Sequence, residues 1–327
     1  MISVQAIMEN SAETSPTPPR IMGLSQQRLA TLLLFVAPLL FSSNMLVAKV
    51  TADLIPPVAL AFWRWVLTFG LLACFVGPRL WARRADIARE WKDLLILGGL
   101  GMGVSGAFVY IAADTTSATN IGLIYTAAPV LIILLAGLLY REPLSRLQAL
   151  GVVASLGGVL WIIAKGAPAS LLTLDFVAGD LWVVGATIGW ALYSVLQRHR
   201  PSAMGLMTRL AATVGGGCLV LLPFTIWEGV TQGLPVITGE SLAAIAFLAI
   251  FASFIAYQIY AFIQRVLGAG RTSLLMYLIP VYNSALAWAL LGETLATYHV
   301  VGAALVLPGI YLATRAPRAN PKAMETG

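Results

Sequence analysis

Two stretches of this chain repeat one pattern. Residues 125–158 read YTAAPVLIILLAGLLYREPLSRLQALGVVASLGG, and residues 276–309 read MYLIPVYNSALAWALLGETLATYHVVGAALVLPG. Pro129 pairs with Pro280, Glu142 with Glu293, Leu144 with Leu295, Gly151 with Gly302 and Gly158 with Gly309, every pair 151 positions apart. Five matches at one offset, with no gap, mark a duplication. Each copy is an apolar helix carrying a proline, a charged stop, and a second apolar helix with two glycines. That is a membrane unit.

Composition agrees. The chain has 327 residues, 59% hydrophobic and 10% charged, with a mean hydropathy of +0.87. Soluble domains carry about 25% charged residues, so this chain could not cover its surface in water. Apolar stretches of roughly 20 residues cross a bilayer as helices. Cys74 and Cys218 both fall within such stretches and read as small apolar fillers rather than a disulfide framework. Residues 1–28, rich in Ser, Thr, Pro and Gln, read as a disordered tail. They lack the pattern of a signal peptide, so the first apolar stretch is expected to stay in the membrane.

Ten candidate spans follow, at 29–48, 57–77, 94–113, 119–140, 146–164, 179–197, 205–227, 242–263, 270–291 and 298–314, with a second polar tail over 315–327. Lys and Arg in the connections set the orientation. With the N-terminus on side A, sixteen of the twenty basic residues fall on that side; side B holds Lys49 and Lys165, and Arg64 and Arg209 lie inside spans. Side A is therefore expected to be the cytoplasm, with both termini inside. The net charge of +6 thus reflects membrane orientation, not nucleic-acid binding. Spans 1–5 (residues 29–165) match spans 6–10 (residues 179–314), and five is odd, so the two halves must be inverted relative to each other. Glu142 then ends span 4 on side A, and Glu293 ends span 9 on side B. Inverted repeats are the architecture of alternating-access transporters, with the substrate site near the midplane.

On these residues the chain resembles the drug/metabolite transporter superfamily, in its ten-span EamA-type branch. Pro129, Glu142, Leu144, Gly151 and Gly158, with their second-half partners, carry the likeness. Arg64, within Phe62-Trp63-Arg64, matches the arginine usual in the second span of that family. The resemblance implies an exporter of amino acids, other metabolites or drugs in a bacterial inner membrane, with spans 1–4 and 6–9 around a cavity and spans 5 and 10 outside. The aromatic-rich second half looks most like the aromatic amino-acid exporters of the branch.

Several residues could carry the chemistry. Pro129 and Pro280 each remove a helical hydrogen bond, freeing the carbonyls of Tyr125 and Met276. Such carbonyls are either satisfied within a packed kink or line a cavity. Helical spacing puts Tyr125, Pro129 and Ile132 on one face, and Met276, Pro280 and Asn283 on its counterpart. Asn44 and Asn283 serve either as glue between helices or as cavity groups; Phe41 and Asn44 recur as Trp190 and Tyr193, which favours a cavity across a pseudo-twofold axis. Tyr257 and Tyr260 in span 8 add aromatic surface, with a lipid interface as the alternative for Tyr260. Arg64 fits an interfacial belt with Trp63 and Trp65, a gate or structural pairing, or a hold on a substrate carboxylate; Arg209 reads as a snorkelling side chain. Glu142 and Glu293 close helices where the macrodipole disfavours an anion. Arg141 or Arg146 could compensate the first, and only His299 is near the second. The family reading makes both glutamates structural or gating contacts.

What is missing also narrows the function. Asp53, Asp114, Asp175, Asp180, Glu228 and Glu240 all fall at span ends or in loops, so proton coupling has no obvious seat. Gly101, Gly103 and Gly106 spell G-x-G-x-x-G inside an apolar span, where close helix packing is the better reading than a dinucleotide turn. HExxH and CxxC do not occur, and neither catalytic, metal nor cofactor chemistry is expected. The expectation is an all-α membrane protein that, as the family resemblance implies, exports amino acids, aromatic and large neutral ones such as Phe, Tyr, Trp and Met. A drug or general metabolite exporter and a channel-like pore are the alternatives. Its partners are the small-molecule substrate and the lipid bilayer; a monomer is compatible with the sequence.

Overall fold

A bilayer offers no partner to backbone N–H and C=O groups, so a chain this apolar must satisfy them internally. It does so with helices. The computed structural model describes residues 25–142, 145–167, 169, 177–233, 238–267 and 274–314, and the side chains of Gln264, Leu274, Met276, Tyr277 and Thr314 fall outside that set. So do Leu144 and most of both expected tails. The described residues include no strand. Among the described residues, eight helices are long and apolar enough to cross a membrane: α1 Gln26–Val50, α2 Pro57–Ala82, α3 Trp91–Ala113, α4 Ala118–Tyr140, α5 Arg146–Ile163, α6 Ala178–His199, α7 Leu206–Gln232 and α8 Gly239–Leu267. Two more follow, α9 Leu274–Leu291 and α10 Thr297–Thr314, whose apolar parts Leu278–Leu291 and Thr297–Ala313 are shorter.

Helix starts follow from local chemistry. Ser25, Ser117, Ser145 and Thr238 each accept a hydrogen bond from the first turn of the helix they precede, which satisfies a donor that no carbonyl can reach. Helix ends show the repeat. Arg141 after α4 and Gly292 after α9 both adopt positive φ, 56° and 67°. The next amides, of Glu142 and Glu293, donate back to Ala136 and Ala287 at 3.4 and 3.2 Å. These are the same helix-ending motif, 151 residues apart. Glycine takes this conformation without strain; arginine takes it at a cost.

Packing obeys the same exchange. α1 packs on α9 and α8, while α6 packs on α4 and α3; α2 packs on α7, and α5 on α10. Swapping α1–α5 for α6–α10 returns the same set of neighbours. α5 and α10 meet most closely. A Cβ at Gly151 would lie 2.5 Å from Gly309 O, and one at Gly158 would lie 2.9 Å from Gly302 O. The glycines of the duplicated segment are therefore the seam joining the two repeats, which explains why they recur.

Two features depart from the sequence reading. Pro129 opens a new helical segment: α4 breaks into Ala118–Tyr125 and Ala128–Tyr140 across a turn at Thr126–Ala127. Its partner Pro280 lies inside the continuous helix α9. And α3 and α8 each contain a π-helical stretch, Gly99–Val104 and Leu248–Ile255. The glycine-rich run sits in the first of these and in the turn after it, where it serves packing: a Cβ at Gly101 would meet the Tyr193 ring at 2.8 Å.

Candidate functional site

Where α1, α2, α3 and α8 converge, a buried polar cluster forms around Arg64. The Arg64 guanidinium donates from Nε to Ser253 Oγ at 2.7 Å, and from Nη1 to Asn44 Oδ1 at 2.7 Å and to the Tyr110 hydroxyl at 2.6 Å. Tyr110 in turn donates to Asn44 Oδ1 at 2.9 Å. The π-helical stretch of α8 positions Ser253, whose hydroxyl donates to Leu248 O at 2.9 Å and so leaves a lone pair for Arg64. Such stretches often mark functional sites in helices. The Trp65 ring lies under the guanidinium, 4.6 Å from Cζ to its centroid, whereas Trp63 is exposed. Three helices of the first repeat and one of the second are thus held by one side chain.

Aromatic rings surround this cluster. Tyr257 lies 6.5 Å from Trp65 and 6.0 Å from Phe41, and Phe41 meets Tyr260 edge-on at 6.4 Å. Tyr125, bonded to Ser105 Oγ at 2.7 Å, packs against the core that contains Trp65 and Tyr110. Beside it a narrow cleft is lined by Trp65, Thr68 and Leu72 of the first repeat, and by Leu210, Ser253, Tyr257 and Gln258 among residues of the second. Its volume is about 10 Å³, room for roughly one water. An organic solute enters only if α2 moves apart from α7 and α8.

The residues singled out in the sequence therefore divide. Phe41, Asn44, Arg64, Tyr257 and Tyr260 come together, with Tyr125 in the same core. Trp190 and Tyr193 pair with each other, rings 5.2 Å apart, and Tyr193 lies against Gly101. Asn283 lies elsewhere: fully buried, it donates to Ala118 O at 2.5 Å and fills the space left by Gly122, which ties α9 to the start of α4. The Met276 side chain lies outside the described residues. Tyr110 and Ser253 escaped sequence reading, because a tyrosine near a span end reads as an interfacial anchor and a lone serine has no signature.

Carboxylates hold one end of the bundle, side B. Glu293 compensates its own helix end not through His299 but through another helix: its oxygens accept from Ala118 N at 2.8 Å, Thr119 N at 3.0 Å and Thr119 Oγ1 at 2.7 Å. Glu228 does the same for α2, accepting from Val58 N at 3.0 Å and Ala59 N at 2.7 Å. Pro56 and Pro57 leave that helix start without a side-chain cap, so the cap arrives from α7. Both anions sit at the positive end of a helix dipole. Asp180, 0% exposed, accepts from Thr116 Oγ1 and from Asn120 Nδ2 at 3.1 Å. Asn120 Oδ1 is then the acceptor for His299 Nε2 at 3.0 Å, and His299 Nδ1 accepts from Ala296 N at 3.0 Å, which makes this imidazole neutral. Asp180 and Glu228 lie at helix ends, as their positions in the sequence suggest, and both are buried there, where the other repeat covers them.

Side A is more open. Glu142 lies 3.0 Å from His199 Nε2 and 3.5 Å from Arg198 Nη2, and Arg200 pairs with Asp93. Arg209, expected to snorkel, instead caps α6: Nη1 donates to Gln197 O at 3.2 Å and Nη2 to Arg200 O at 2.8 Å.

Comparison with known proteins agrees with this architecture. An uncharacterized transporter of Bacillus subtilis (strain 168), YyaM, is 27% identical over 278 residues, covering 84% of this chain and 91% of the relative. A protein of Salmonella typhimurium (strain LT2) described as a "probable amino-acid metabolite efflux pump" is 26% identical, covering 82% of this chain and 89% of the relative. A protein of known crystal structure superposes with a TM-score of 0.56 at 22% identity, over 88% of this chain and 96% of the other, which supports the fold. The model of the EamA-like transporter family matches twice, over residues 28–164 and 177–315. The chain belongs to the EamA-like transporter family.

Proposed function

We propose that this protein exports amino acids, aromatic and large neutral ones such as Phe, Tyr, Trp and Met, across a bacterial inner membrane by alternating access. In this reading ten helices cross the bilayer as two inverted repeats, 29–165 and 179–314, with both termini in the cytoplasm and side B outside. The substrate cavity lies between the repeats and is lined by Phe41, Asn44, Tyr125, Trp190, Tyr193, Tyr257 and Met276, while Asn283, expected there from the sequence, ties α9 to α4 instead. Pro129 and Pro280 shape its walls, and Arg64, Glu142 and Glu293 act in gating or structure. Transport proceeds as one repeat rocks against the other.

One observation carries the reading: a buried centre that combines hydrogen-bonding groups with aromatic rings, built from both repeats and bordering a closed cleft. Few polar groups set among apolar walls is how small-molecule sites are made. The efflux-pump description of the Salmonella relative points to the same substrate class. Purified protein in liposomes tests it. Labelled phenylalanine should enter by saturable counterflow, stimulated by unlabelled phenylalanine inside and inhibited by Tyr, Trp and Met. Flux that is linear in concentration and indifferent to substrate on the far side would mean a pore. Counterflow of other organic solutes but of no amino acid would mean a general metabolite or drug exporter.

A further inference from the structure

Arg64 is 5% exposed, yet no carboxylate among the described residues is within ion-pair distance of it. Ion pairs form instead at Arg83, Arg198, His199 and Arg200, among other places. An uncompensated charge at such depth is costly, and three neutral oxygens offset only part of that cost. A guanidinium has five N–H donors. Nε and Nη1 are engaged by Ser253, Asn44 and Tyr110, while Nη2 donates to no acceptor among the described residues. The cleft between the repeats begins at the immediate neighbours of Arg64, Trp65 and Ser253. A planar cation is thus held by three partners through Nε and Nη1, with Nη2 left without one among the described residues.

We infer that Arg64, beyond the gating or structural part proposed above, is the anchor for a carboxylate on the transported solute, which supplies the missing counter-ion while Trp65 and Tyr257 flank the solute's apolar part. Fixing Nε and Nη1 beforehand holds the guanidinium in place, so little side-chain entropy is lost on binding. Asn44, Tyr110 and Ser253 act as positioning residues. This rests on the proposed amino-acid reading for the choice of ligand, though not for the chemistry.

The test is a binding titration of purified protein, followed by tryptophan fluorescence, with four probes: L-phenylalanine, 3-phenylpropionate, L-phenylalaninamide and phenethylamine. The two carboxylates should bind at least about tenfold more tightly than the amide and the amine, the effect of one hydrogen bond to a charged group. In Arg64→Gln that ratio should fall to near one. Arg64→Lys should restore part of it, since the charge returns without the planar fork. Equal binding of acids and neutral analogues by the wild type overturns the inference, and so does an Arg64→Gln variant that weakens all four alike. Should the variants fail to fold, the wild-type ratio alone decides. Arg64-dependent binding of 3-phenylpropionate without phenylalanine counterflow would sink the amino-acid reading and leave the anchor standing. Phenylalanine counterflow indifferent to the carboxylate would do the reverse.

Discussion

Two of the contacts between the repeats, the α5–α10 seam and the cluster around Arg64, use the duplication in opposite senses. At the seam, related residues do the same job: Gly151 faces Gly309 and Gly158 faces Gly302, so one short pattern serves both helices. Around Arg64 the relation breaks down. Arg64 holds Asn44, Tyr110 and Ser253 at a buried junction, whereas Arg209 caps carbonyls at the end of α6. The glutamates behave like the arginines. Glu293 caps the buried start of α4, and Glu142 meets His199 and Arg198 at a half-exposed surface. A scaffold can be symmetric; a site that must bind one asymmetric solute cannot.

The largest effect should come from the seam. In Gly151→Ala the new methyl would lie 2.4 Å from Ala313 N, a backbone atom with no rotamer to change. Thermal unfolding in detergent should show a loss of about 3 kcal/mol or more, at the upper end for overpacking. Gly157→Ala is the control. It has nothing within 4 Å of the added atom and should gain about 0.5–1 kcal/mol from helix propensity. Equal behaviour of the two variants would remove the seam from the account.

The glutamate pair comes next. Glu293→Gln loses the anion at a helix start and part of its bonding, worth about 1–2 kcal/mol. Hydrogen exchange at the Ala118 and Thr119 amides should accelerate about five- to thirtyfold. Glu142→Gln breaks a half-exposed pair worth under about 1 kcal/mol and should leave those amides unchanged. If both variants loosen α4 alike, the two ends are not distinct.

The smallest effect concerns Asp114, in the side-B loop. Burial, with the neighbouring Asp53 carboxylate, holds its carboxyl above the ordinary range, while Lys49 pulls it down. A carboxyl raised in the folded state keeps its proton there to higher pH than in the unfolded chain. The folded state therefore loses stability as pH rises from the ordinary carboxylate value through the raised one. Asp114→Asn removes that loss. Its melting temperature should be slightly above wild type at neutral pH and equal to it well below the carboxylate range. The opposite ordering at neutral pH would mean that the Lys49 attraction dominates.

How much of this was legible in the sequence follows from the same division. The glycines and the glutamates after the two helix ends were visible as a repeat, because close packing restricts residue choice; the shared positive φ at Arg141 and Gly292 was not, since the residues differ. The broken α4 was only half visible: Pro129 and Pro280 read alike, but one starts a helix and the other lies within one. The Arg64 cluster was hidden. Its partners come from positions 44, 110 and 253, and the chain distances between them carry no periodic signal. The burial of Asp180 and Glu228 was hidden for a related reason. A position at a helix end looks exposed in a sequence, and only the opposite repeat decides that it is covered.

The central claim is that the substrate is read where the duplication stops being symmetric. Counterflow of phenylalanine in liposomes with Arg64→Gln and Arg209→Gln, each first shown to be folded and monodisperse, tests it most directly. The account predicts that Arg64→Gln abolishes counterflow, while Arg209→Gln keeps it and loses only the stability of a helix cap, about 1 kcal/mol. Retained counterflow in Arg64→Gln, or equal loss in both variants, would contradict it.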